Sequence, residues 1–212
     1  ARIAYRVYGT GPKDLVVVPG IVSNVEYAHR LPGYDQFLEQ VSAHFRVIVF
    51  DKRGNGLSQK LGDSAPTLEQ RMDDIRFVMD AADSDKASIL GISEGGSLSA
   101  LFAAMYPERT ERLILFGAFA HTPGLEKLNR YPGFIGRFVK QRAMNRAVKS
   151  VRKTWGDGSF VRSVVPSRML INSELRRLFR EYELASTNAS DMGKMMSLLG
   201  EMDVRAFLKD VR

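Results

Sequence analysis

The residues best suited to chemistry are Gly91-Ile92-Ser93-Glu94-Gly95. A serine with a glycine two residues away on each side suits a sharp turn that exposes the hydroxyl. The pattern gains weight from its context. The apolar run Ala87–Leu90 leads straight into it, and Glu94–Met105 reads as a helix stopped before Pro107. At such a strand-to-helix junction, side chains at 91 or 95 would collide with the neighbouring strand and helix. The start of the helix would also aim free N–H groups at the serine, which favours negative charge developing there. That arrangement fits nucleophilic attack by the Ser93 hydroxyl. The rival reading is a plain Gly/Ser turn.

A serine nucleophile needs a base, and the chain holds three histidines, His29, His44 and His121. His44 reads as a boundary residue between a helix and a strand. His29 follows an apolar strand and could line a pocket. His121 lies just past the apolar run Leu113–Phe116, and the segment between, Gly117-Ala118-Phe119-Ala120, carries no carboxylate. The absence of cysteine excludes a disulfide scaffold, a thiolate zinc site and a cysteine nucleophile. With no Gly-rich phosphate loop and no metal-ligand spacing, no cofactor and no metal is expected.

The elements that must position Ser93 follow from hydrophobic period. Ile3–Tyr8 alternates apolar and polar residues. Asp14–Pro19, Arg46–Phe50, Ala87–Leu90 and Leu113–Phe116 are short apolar runs, as expected of strands buried on both faces. Between them, Tyr34–Ala43, Thr67–Ala82 and Glu94–Met105 read as helices. Thr67 and Gln70 stand at capping-box spacing. Strand and helix alternating in this way imply βαβ crossovers and a mainly parallel sheet flanked by helices, an α/β fold. From His121 onward no comparable strand appears; Phe134–Lys153, Asn172–Leu184, Met192–Leu199 and Val204–Val211 read as helices.

The chain has 212 residues, enough for one domain with a real core. Its longest apolar stretch, Leu15–Val22, is broken by Pro19-Gly20 and too short to span a bilayer. No signal peptide is visible, so a cytoplasmic location is expected. The opening Ala1-Arg2-Ile3-Ala4-Tyr5 reads like the inside of a strand, so a trimmed N-terminus is expected. The net charge of +7 is concentrated: residues 121–180 hold 14 Lys+Arg against 3 Asp+Glu. Arg137, Lys140, Arg142, Arg146, Lys149, Arg152 and Lys153 recur along one helical stretch. A solvated helix face is the expected meaning, with an anionic membrane surface, an anionic substrate or an acidic partner as alternatives. Nucleic acid is not expected, because no aromatic interleaving or helix-turn-helix accompanies the charge. Trp155, Phe160, Met169 and Leu170 read as core of this helical region, or as an apolar wall over Ser93.

Three segments in order resemble the α/β-hydrolase fold family: Val18-Pro19-Gly20-Ile21, Asp51-Lys52-Arg53-Gly54-Asn55-Gly56-Leu57-Ser58, and Gly91–Gly95. The finer strings FDKRGNGLS, GISEGG and AAMYPERTERLILFGAFA are similar to hydrolase domains joined to bacterial class III adenylate/guanylate cyclases. The resemblance implies residues 1–120 as the N-terminal part of the core, 121–203 as a helical basic cap, and 204–212 as the start of a return to the core. It implies Ser93 as nucleophile and backbone N–H groups of Ile21 and Glu94 as the oxyanion hole, with Gly91 and Gly95 forming the elbow. Pro19 stands where many members have His. The Asp51–Ser58 loop is expected to be structural, with Asp51 and Arg53 tying it together.

In this family the acid and then the histidine follow the serine in the chain. Only His121 qualifies by order, and it sits where the cap normally begins. The acid and histidine are therefore expected outside this chain, on a C-terminal remainder of the same hydrolase, and a fused cyclase domain is a further possible partner. Without those strands one sheet edge would lie bare and invite association. The expected activity is cleavage of a small carboxylic ester or related acyl substrate. The rival is a non-catalytic, ligand-sensing module of the same fold; a cofactor-free peroxidase or C–C hydrolase would use the same serine.

Overall fold

The computed structural model describes residues 1–63, 65–122, 133–164 and 172–211. Five strands form one sheet: β1 (Tyr5–Tyr8), β2 (Asp14–Val18), β3 (Arg46–Phe50), β4 (Ala87–Ile92) and β5 (Thr110–Phe116). Their order across the sheet is β1-β3-β2-β4-β5. β1 runs antiparallel to β3, and the other pairs are parallel. The helices are α1 (Tyr34–Ser42), α2 (Leu68–Ala81), α3 (Glu94–Met105), α4 (Gly133–Thr154), α5 (Ser159–Val164), α6 (Ser173–Ser186) and α7 (Ala189–Glu201).

Period two in the strands divides the core between the two faces. Val16, Val18, Ile48 and Phe50 face Met72, Ile75 and Met79 of α2 and Leu98 and Phe102 of α3. Leu15, Val17, Val47 and Val49 face Leu38 of α1, with Phe37 and Val41 beside it. Thr67 caps α2 as its spacing predicts: its hydroxyl accepts the Gln70 N–H, and Gln70 answers in a full capping box. At the base of the sheet, Asp14 and Arg46 stand side by side in register. The guanidinium holds the carboxylate through two bonds, 2.7 and 2.6 Å, and also donates to the Ala82 carbonyl.

Two expectations need correction. Leu113–Phe116 reads as a buried strand but belongs to the sheet edge. Ile114, Leu115 and Phe116 are 47%, 49% and 70% exposed, because no strand lies beyond β5 among the described residues. Val204–Val211 reads as an α-helix and instead forms a tighter 3-10 helix over Arg205–Asp210. It packs against α3, with Val204 fully buried. The helical region itself is present: α4 packs along α7, and α5 on α6. Helix α5 was not expected from the sequence. Among the described residues no helix is long and apolar enough to cross a membrane.

The Arg46 hydrogen bonds hold the Asp14 carboxyl below its ordinary value of 3.8. A carboxyl depressed in the folded state stabilises above its unfolded pKa and loses that contribution as pH falls through the folded one. Asp14→Asn should therefore cost about 1–3 kcal/mol at pH 7 and progressively less below pH 4 in urea unfolding. The edge gives a second expectation. Ile114→Lys with Phe116→Lys should reduce self-association in light scattering while leaving the unfolding midpoint nearly unchanged.

Candidate active site

Ser93 occupies the junction of β4 and α3 with φ 54° and ψ −123°. A non-glycine residue in that left-handed conformation stores about 1–3 kcal/mol of strain. The surroundings enforce it. The Ser93 N–H donates to the Phe116 carbonyl of β5 at 2.9 Å, and the Ser93 carbonyl accepts from Gly96 N–H at 2.9 Å. A methyl on Gly95 would run into the carbonyl oxygens of Val18 and Pro19. One on Gly91 would meet Gly96 Cα and the Ser99 side chain. Both glycines are thus required by close approach. Gly20 passes directly beside the serine, since a Cβ built there would stand 3.4 Å from Ser93 Cβ. The segment Pro19-Gly20-Ile21 therefore crosses over the start of α3. Ser93 is half-buried, and Ile21 and Glu94 are buried. Neither Ile21 N–H nor Glu94 N–H has an acceptor in the chain among the described residues.

Beneath the serine lies a group of charges that the sequence does not reveal. The Glu94 side chain turns away from the surface and is 1% exposed. Its carboxylate pairs with Lys52 through one oxygen and with Arg71 through the other. Arg53, next to Lys52, grips Asp74 of α2 with Nη2–Oδ1 at 2.5 Å. Three cations and two carboxylates thus share the space between the Asp51–Ser58 loop, α2 and the N-terminus of α3. Burial, and then the Arg71 charge, holds the Lys52 ammonium well below its usual range. Burial also lowers Arg71, to about 10.

The Asp51–Ser58 loop is structural in the expected sense and more. The Asp51 carboxylate accepts N–H bonds from Val25 at 3.0 Å and Leu57 at 3.1 Å. Burial raises its pKa. Gly56, with φ 47°, leaves the space that this carboxylate fills. Arg53 ties the loop to α2 rather than to Asp51. The loop and the segment after Ile21 also hold the helical region. Gly56 N–H donates to the Ser186 carbonyl at 2.6 Å, Thr187 Oγ1 to the Gly54 carbonyl at 2.7 Å, and Asn24 Nδ2 to the Ala185 carbonyl at 2.8 Å. Ile21 packs into one apolar cluster with Met192 and Met195 of α7, flanked by Trp155 and Phe160. Met169 and Leu170 lie outside the described residues.

The histidines part company. His44 is exposed, as expected of a boundary residue. His29 is half-buried between two partners, Asp35 at 2.5 Å on Nδ1 and the Tyr8 hydroxyl at 2.8 Å on Nε2. His121 is half-buried and forms an isolated antiparallel bridge with Asp203. Arg205, the Arg205 N–H and His121 together draw the Asp203 carboxyl down to about 2. The basic residues of α4 are exposed apart from half-buried Lys140. Among the described residues no cluster of His, Asp and Glu could hold a metal ion.

Removing one member of a buried ion cluster costs about 3–5 kcal/mol. Glu94→Gln should lose that much in urea unfolding at pH 7, because Lys52 and Arg71 then lose the carboxylate that pairs with both. The ammonium is depressed in the folded state, so the unfolded chain binds the extra proton as pH rises. Part of the loss should therefore be regained at pH 9.5.

A family model described as alpha/beta hydrolase fold matches residues 14–191. A 2-hydroxy-6-oxo-2,4-heptadienoate hydrolase of Pseudomonas putida is 30% identical over 129 residues, 59% of this chain and 42% of that protein. Human serine hydrolase BPHL is 27% identical over 124 residues, 57% of this chain and 40% of that protein. The chain spans less than half the length of these curated relatives. Among solved structures, the enol-lactonase from Burkholderia xenovorans superposes with a TM-score of 0.70 at 21% identity, over 99% of this chain and 74% of that one. An esterase from Exiguobacterium antarcticum gives 0.70 at 18% identity, over 99% and 74%. The family match over most of the chain and the strand-to-helix junction at Ser93 agree: this chain belongs to the alpha/beta hydrolase fold family.

Proposed function

We propose that this chain carries the nucleophilic part of a serine hydrolase that cleaves a small carboxylic ester or related acyl substrate. Ser93 Oγ attacks the acyl carbon as a histidine takes its proton. The N–H groups of Ile21 and Glu94 receive the charge developing on the carbonyl oxygen. The proton returns to the departing alkoxide, leaving an acyl-serine, and water then releases the acid and restores Ser93. The observation that carries this reading is the strained, half-buried Ser93, held where β4 meets α3 beside Gly20 and two unpaired amides. The hydrolase names of the relatives support it.

The acid and the histidine are proposed to come from chain beyond this sequence, in strands that pair with β5. The bare apolar row Ile114–Phe116 and the greater length of the relatives support that arrangement. His121 is the candidate base within the chain. Helices α4–α7 are proposed as the cap, supported by the packing of Met192 and Met195 on Ile21. The motif strings shared with cyclase-joined hydrolase domains support a cyclase in the same polypeptide. A second reading, C–C bond hydrolysis by the same serine, is favoured by the dienoate hydrolase among the relatives.

A fluorophosphonate probe with intact-mass readout, applied to the protein at the length its own cells make, tests the assignment. One adduct should form, be absent in Ser93→Ala, and persist in His121→Ala. Loss of labelling in His121→Ala would make His121 the base. An unlabelled protein would sink the nucleophile and favour the ligand-sensing alternative. Turnover of a 2-hydroxy-6-oxo-dienoate without turnover of p-nitrophenyl acetate would select C–C hydrolysis.

A further inference from the structure

Asn55 is fully buried in the loop below Ile21. Its carboxamide spans the backbone on either side of Val22. Nδ2 donates to the Ile21 carbonyl at 3.2 Å, and Oδ1 accepts the Ser23 N–H at 3.3 Å. Only one orientation of the amide satisfies both, since the reverse would set donor against donor and oxygen against oxygen. Nδ2 also lies 3.3 Å from Met195 Sδ of α7. With the Ile21 carbonyl and the Ser23 amide both held, the peptide planes that follow Ile21 cannot turn. The Ile21 side chain is held as well, packed with Met192 and Met195, so two of the bonds at the Ile21 Cα are fixed and the nitrogen on the same Cα is held in place. Asp51 extends the hold by accepting the Val25 N–H at 3.0 Å.

We propose that Asn55 is a positioning residue for the oxyanion hole: it fixes the Ile21 N–H beside Ser93 without touching the substrate. This rests on the assignment of Ser93 and Ile21 made above. A surface-loop residue would contribute only solvation, whereas Asn55 spends both ends of its amide on the backbone that carries one of the two donors. Misaligning such a donor costs rate rather than substrate binding.

The test uses the protein at the length its own cells make. Asn55→Ala removes both bonds. Asn55→Asp keeps the acceptor for Ser23 but cannot donate to Ile21 while ionised. Once protonated, its carboxyl can donate again, and burial facing a carbonyl raises the pH at which that happens. Phosphonylation of Ser93, corrected for the folded fraction, should fall at least about tenfold in both variants at pH 8. The rate of Asn55→Asp relative to Asn55→Ala should climb as pH is lowered to 5.5. Amide hydrogen exchange in Ile21–Val25 should quicken in both variants while Leu15–Val18 stays unchanged. Folded variants that label within twofold of the parent, a flat Asp-to-Ala ratio, or unchanged exchange would each overturn the proposal. If the parent protein is not labelled, the Ser93 assignment fails and the exchange measurement alone decides whether Asn55 holds the loop. Asn55→Ser replaces either variant that does not fold.

Discussion

A carboxylate that follows the elbow serine and points into the protein organises this molecule. Glu94 could not be buried alone; an isolated charge in the interior is too costly. It is tolerated because Lys52 and Arg71 meet it from two different elements, the loop after β3 and helix α2. The pairing fixes the first residue of α3, and with it the backbone amide of Glu94. Asp74, gripped by Arg53, completes the group, and its negative charge eases the repulsion between Lys52 and Arg71. The strained serine above depends on this base, since a turn with φ 54° persists only where its surroundings leave no alternative.

Much of the fold was legible because its signals are local. The apolar runs of β2 and β3, the helix pattern of Thr67–Ala82 and the Gly-x-Ser-x-Gly junction depend on near neighbours in sequence. What was not legible depends on partners far away in the chain. Leu113–Phe116 carries the same apolar signal as Leu15–Val18, and nothing local says that one lies at an edge. Arg71 is buried against Glu94, a partner more than twenty residues later that no window around α2 contains. Asn55 occupies a position between two loop glycines with no pattern of its own. Its role becomes visible only when Ile21 and Ser23, more than thirty residues earlier, lie against it. Helix α5 was hidden for a related reason. The buried Glu183 carboxylate accepts the N–H groups of Gly156 and Gly158, a stabilisation that no window around residue 157 contains.

The Asp51–Ser58 loop joins what would otherwise be separate units. On one side it holds the backbone around Ile21; on the other, Gly54 and Gly56 bond to Thr187 and Ser186 at the α6–α7 connection. A shift of α6 and α7 would strain bonds to Gly54 and Gly56, the two neighbours of the Asn55 that holds the backbone at Ile21 and Ser23. Met195, touching both Ile21 and Asn55, adds an apolar route in parallel.

The strand order β1-β3-β2-β4-β5 has a temporal side as well. Once β3 has settled between β1 and β2, each later strand joins at an outer edge beside one already made. A chain emerging residue by residue from the ribosome can therefore close its sheet outward, without opening a pair to admit a newcomer. The Ser93 turn forms between β4 and β5, and its N–H waits for the Phe116 carbonyl. That corner is thus shaped only after α1, α2 and the inner strands are in place.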